Sequence, residues 1–166
     1  MDIVVPPPAA DEQTVLVGFL NVQRAVVVTK CGGLDEALAH RAVLPTSPLM
    51  TVAGVLGHLR WVEHSWFEHV MLGEADRGPW TDDDRDRDFK VAGTPLAVLL
   101  DDYRHQCTRS DEIVASLGMD AASVNEKRGD HPTTRWVVAH MIEETARHAG
   151  HLDILREILD GRTGYP

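Results

Sequence analysis

Residues 134–159, TRWVVAHMIEETARHAGHLDILREIL, carry the reading of both the fold and the chemistry. Apolar residues recur there at helical spacing among good helix formers, which predicts one long helix. Projected at 3.6 residues per turn, Val137, His140, Glu144, His148, His151, Leu155 and Ile158 share a face. Both ends of that stripe are apolar, so it is expected to point into a core. Its middle is three imidazoles and a carboxylate, which are costly to bury without a partner. Glu144 and His148 stand four apart and are neighbours on the helix surface. Their donor atoms suit a shared cation. From spacing alone a solvated helix face, or hydrogen-bonded core histidines, stays open as the simpler reading. A third ligand from elsewhere in the chain would decide for metal.

The chain has 166 residues, 43% hydrophobic and 25% charged, which fits one ordinary globular domain with a proper core. Its net charge of −10 argues against nucleic acid as a partner, because phosphate binding rests on clustered Lys and Arg, and no basic patch stands out. No apolar run approaches the roughly 20 residues that cross a bilayer. The opening MDIVVPPPAADEQ shows no basic region followed by an apolar core, so no signal peptide is visible. Cys31 and Cys107 lie far apart, with no CxxC, and read as free thiols of a reducing cytoplasm. A cytoplasmic protein with no membrane partner is the expectation.

Upstream of the last helix, residues 1–10 form a leader stiffened by Pro6-Pro7-Pro8. A first helix is predicted from Asp11 to Cys31 and is stopped by Gly32-Gly33; a short helical turn follows over Asp35–His40. Ser47-Pro48 reads as an N-cap with proline at the first helical position, opening a second helix that runs to Leu72. His58 sits between Val55 and Val62 on its apolar side, whereas His64 projects oppositely and reads as solvated. His69 lies about 16 Å from His58 along the axis, too far to share a metal with it. Residues 74–94 form a long linker whose run Asp82–Asp88 reads as a solvated charge run. Thr94-Pro95 opens a third helix to Leu117, on which His105 reads as external. An irregular connection, residues 119–132, then leads into the last helix, which ends before Gly161. Four long helices without a convincing strand predict an all-α four-helix bundle over residues 11–161, with 162–166 as a tail.

These motifs resemble the DinB/YfiT-like metalloenzyme superfamily, and most closely its branch near the mycothiol-dependent enzymes. The resemblance rests on FLNVQRAVVVTKCGGLDEAL, on VLGHLRWVEHSWF with MLGE, and on RWVVAHMIEETARHAGHLDILRE, and so covers nearly the whole chain. It implies an up-down-down-up order of the four helices. It also implies a metal site in which a histidine of the second helix, here His58, joins two residues four apart in the last helix. ETARH supplies Glu144 and His148 where many members have two histidines, and the mycothiol-dependent relatives resemble this chain in using glutamate. His151 stands where many relatives have glutamine. It is read as a residue beside the metal site or a proton shuttle, and His140 as a neighbour of the ligands.

A His2Glu set with an open position is a catalytic rather than a structural zinc arrangement. Nickel, manganese and iron suit the same donors. The resemblance therefore implies a transferase or isomerase that uses a low-molecular-weight thiol such as mycothiol, activated at the metal against a small electrophilic substrate. The alternatives are a metal-dependent hydrolase using metal-bound hydroxide, and a non-catalytic metal-binding or small-molecule-binding stress protein. Pairing into a homodimer through Trp80 or the 74–94 linker is a further expectation.

Overall fold

The computed structural model describes residues 2–164, and among these it is all helical, with three isolated β-bridges in the connections and no strand. The long helices are α1 (Glu12–Cys31), α3 (Val52–Glu63), α4 (Leu96–Leu117) and α5 (Thr134–Asp160); α2 (Glu36–Ala39) is a single turn. Their ends are chemically specified. Asp11 accepts the Thr14 N–H at the start of α1, Thr133 accepts that of Trp136 in α5, and Gly161 closes α5 in the left-handed region at φ 73°.

The second long helix departs from expectation at its start and in the form of its later turns, although it ends at Leu72 as expected. Ser47 does not cap it. Ser47–Met50 instead close a turn with Pro48 at its second position, the Met50 N–H donating to the Ser47 carbonyl. Thr51 is the cap, its hydroxyl accepting the Gly54 N–H at 2.9 Å. At the far end α3 continues without a break as a π-helical segment, His64–Met71. His64, expected in solvent, is fully buried there. Its Nε2 accepts the Arg77 backbone N–H at 3.1 Å and its Nδ1 lies 3.2 Å from Glu68. The physical reason is that this side of the helix is covered by α4, whose Gln106 also donates to Glu68 (2.7 Å), and by the segment after Gly73.

Side-chain pairings fix the relative directions. Arg135 meets Glu12 at one end of the α1–α5 pair, and Arg156 meets the Lys30 carbonyl at the other, so these helices run the same way. Along α3 and α5 the numbers run oppositely: His58 faces Glu144, and Trp66 faces His140. Arg60 with Asp102, and Glu68 with Gln106, set α4 alongside α3 in the same sense.

Two apolar clusters fill the interior. One contains Val27, Leu56, Tyr103 and Leu152; the other contains Leu20, Phe67, Ile113 and Met141. Between them, one position per helix, lies a polar layer of Arg24, Glu63, Ser110 and Thr145, all fully buried. Arg24 and Glu63 form a bidentate pair, both bonds at 2.7 Å, and Arg24 also reaches Asp111 at 2.6 Å.

By length and composition α1 is the one helix among the described residues that could cross a membrane, although no such run was expected. In the fold half of that span is buried, and it carries the paired Arg24. The expected inward stripe on α5 holds from Val137 to Leu155, both fully buried, but Ile158 is 53% exposed because the buried face has turned by then to Leu152, Leu155, Arg156 and Leu159.

Candidate metal centre

The site begins with two glycines ahead of His58, Gly54 about one turn before it and Gly57 next to it. A Cβ on Gly57 would lie 2.5 Å from Val91 Cγ1 and 3.0 Å from the Asp88 carbonyl oxygen, and one on Gly54 would meet the Phe89 carbonyl oxygen at 3.1 Å. Without side chains there, the linker can lie directly on α3. It does so through a 3-10 turn, Arg87–Phe89, that turns Asp88 inward until it is 4% exposed. The His58 Nδ1–H donates to Asp88 Oδ2 at 2.7 Å, and the Phe89 ring stacks on the imidazole at 4.2 Å and 14°. That bond directs Nε2, the other ring nitrogen, towards α5.

There His58 Nε2 meets Glu144 Oε1 at 3.2 Å, and His148 Nε2 lies 3.3 Å from the same oxygen. One donor atom from each of the three residues falls within 4.8 Å of the other two. Asp88 takes the His58 Nδ1–H, so in a neutral imidazole Nε2 presents a lone pair to a carboxylate oxygen. Two acceptors then face each other, and only a further proton or a cation between them removes the conflict. The donor set thus fits a divalent ion of intermediate softness. His148 is 8% exposed at its side chain and Glu144 18%, so the cluster is sheltered but open on one side.

The electrostatics agree. Hydrogen bonds from His148 and His58 hold the Glu144 carboxyl well below the usual carboxylate range, against the opposing effect of burial. For His58 burial disfavours the charged ring, but Asp88 and Glu144 together outweigh it and raise the pKa.

The other residues singled out by sequence scatter. His151 Nδ1 lies 3.4 Å from His148 Nδ1, beside the cluster and partly exposed; burial first, then the charges of His148 and Arg147, lower its pKa. His140 does not touch the cluster. It stacks on Trp136 (5.2 Å) and meets Trp66 edge-on (4.9 Å) one turn away. His69 donates to the Glu74 carbonyl or accepts locally at the far end of the helix, and His105 is exposed. Trp80 packs on Trp61 and donates to Asp76. Both cysteines are fully buried, and burial pushes the Cys31 thiol up to about 12, so neither suits a nucleophile. Asp88 was missed. It was hidden in a run of charge that is otherwise mostly solvated; the Gly54-x-x-Gly57-His58 spacing was the available signal that something packs closely on α3 at that level.

The model of a family described as Mycothiol-S-transferase matches residues 15–161 of this chain. No curated protein matches it significantly.

Proposed function

Because the chain belongs to the mycothiol-S-transferase family and gathers His58, Glu144 and His148 at one point, we propose that it is a divalent-metal-dependent S-transferase joining a mycothiol-type thiol to an electrophile. The observation that carries the metal is the facing pair of acceptors, His58 Nε2 and Glu144 Oε1. His58, Glu144 and His148 would hold the ion, zinc by preference, with nickel, manganese or iron accepted by the same donors. The ion supplies the positive charge that lets a thiol ionise near neutral pH.

The chain's own residues do the rest. Asp88 keeps the proton of His58 on Nδ1 and so holds Nε2 ready as a ligand. Phe89 covers the ring and excludes water from that side. In this reading His151, whose Nδ1 lies 3.4 Å from that of His148, relays the thiol proton to solvent. In the transfer itself a carbon–sulfur bond forms at the electrophilic carbon while the leaving group departs with the electrons of its own bond. No cysteine of the chain takes part.

The test combines metal analysis of the untagged protein with thiol consumption, for wild type and for His58→Ala, Glu144→Ala and His148→Ala. Near-stoichiometric metal that is lost in each variant, together with electrophile-dependent thiol consumption only in the wild type, is the expected result. Consumption no higher than the His58→Ala background would overturn the transferase reading.

A further inference from the structure

Resting on the transferase reading, the geometry points to a second subsite, a cleft that binds an anionic, carboxylate-bearing end of the electrophilic substrate about 12 Å from the metal cluster along α5. The α3–α5 seam does not end at Glu144. One turn towards the start of α5, His140 lies against Trp66, and a further turn on Trp136 packs on both, at 5.2 Å from His140 and 5.4 Å from Trp66. Trp136 is 44% exposed, so it offers a bare aromatic face. That face opens into a cleft of about 350 Å³ walled by Lys127, Arg128, Asp130, His131 and Thr133.

The charge of this cleft runs against that of the molecule. In a chain of net charge −10, Lys127 and Arg128 have no carboxylate within ion-pair distance among the described residues. Lys127 Nζ stands 5.7 Å from the Trp66 ring centroid, which leans it over the seam. His131 donates Nδ1–H to the Ser123 carbonyl at 2.9 Å, and Nε2 makes no bond among the described residues. The carboxylate of Asp130 accepts the His131 N–H at 2.7 Å.

Arg128 is also the one non-glycine residue with positive φ among the described residues, at 59°, in a tight turn closed by Lys127 and Asp130. That conformation is unfavourable for a residue with a Cβ, and it sets two adjacent basic side chains on the rim. The turn is tied down. The Val124 and Asn125 N–H groups donate to the Met71 and Val70 carbonyls, so the cleft is anchored to the helix that carries His58. An aromatic shelf with unneutralised cations recognises a planar acid better than a neutral molecule.

Two measurements test this. In the first, wild type and the double variant Lys127→Ala/Arg128→Ala transfer thiol to 4′-(chloromethyl)biphenyl-4-carboxylate or to its methyl ester. Sulfur bonds to the chloromethyl carbon, chloride leaves, and the thiol proton goes to solvent. The expected result is an acid-over-ester preference in kcat/KM that falls by at least about tenfold in the variant, the scale of one charge-assisted hydrogen bond. Equal loss for acid and ester, or no change in the preference, would overturn the subsite. The second uses no chemistry. The indole N–H resonance of Trp136 is followed while metal-free protein is titrated with 4-biphenylcarboxylate or its methyl ester. Saturable movement with the acid alone, absent in the double variant, supports the cleft even if no thiol turnover is found, in which case only the transferase reading falls. Identical responses to acid and ester reject the cleft whatever the enzyme assay shows.

Discussion

The two sides of α3 carry two polar clusters that solve the same problem differently. On one side Glu63 is sealed against Arg24, a planar cation that uses both bonds of its fork and leaves neither group exposed. On the other, His58 meets Glu144 and His148, and every atom pointing into the cluster is an acceptor unless protonated. The first cluster is complete within the chain. The second lacks a positive charge, sits nearer solvent and has an open side. Buried polarity alone therefore does not identify a site; polarity without its counter-charge does.

The sealed pair offers the largest effect. Arg24→Ala leaves Glu63 buried and unpaired, and is expected to cost about 3–5 kcal/mol in urea unfolding. Replacing both residues by leucine should restore most of that loss. A similar penalty in single and double variants would mean the pair does more than neutralise itself. Glu144→Ala should behave differently. Its main consequence is loss of stabilisation by added zinc, about 2.7 kcal/mol in the wild type at a hundredfold excess over Kd. Thermal unfolding with and without zinc makes that comparison directly.

The linker can be separated from the ligands. Asp88→Asn should weaken metal binding about 10–100-fold in competition with a chromophoric chelator. Gly57→Ala should do the same through geometry, because the added carbon displaces the Arg87–Phe89 turn. If Gly57→Ala leaves affinity unchanged, Asp88 is not what orients His58.

Much of this was legible in the residues, for reasons that can be named. The last helix was readable because its cap, its periodic apolar face and Gly161 all agree. The candidate ligands were reachable because two of them are four apart on that helix and the third came from the resemblance. Arg24 and Glu63 were not, since they lie 39 residues apart and nothing local marks either as inward. His64 was misplaced because α3 is covered on both sides, and a second buried carboxylate, Glu68, makes room for an imidazole. Lys127 and Arg128 form only a dipeptide in sequence; their meeting with Trp136 and Trp66 is a product of the fold.

A smaller test concerns how α3 begins. Thr51→Ala should cost about 1 kcal/mol, whereas Ser47→Ala should stay within about 0.5 kcal/mol, as judged by urea midpoints. Smallest is the pH response of metal-free protein, because His58 and Glu144 are partly exposed. Glu144 is lowered from 4.5, so its contribution is present above that value and is lost as pH falls. His58 is raised from 6.5, so its contribution is complete below 6.5 and is lost as pH rises through the higher folded value. These two groups alone therefore favour the interval between about 4.5 and 6.5 in a thermal melt series, and Glu144→Ala should remove the acid flank but only weaken the alkaline one, because Asp88 still holds the His58 proton.

The contact of Gly54 and Gly57 with the linker ties occupancy of the core to the surface of the molecule. Whatever steadies the His58 ring steadies Asp88, and through Asp88 the segment between α3 and α4. Backbone amides around residues 87–91 should then exchange with deuterium more slowly when the centre is filled, without any helix having to move. The linker would thus serve as a gauge of a bound ion, legible from outside the bundle.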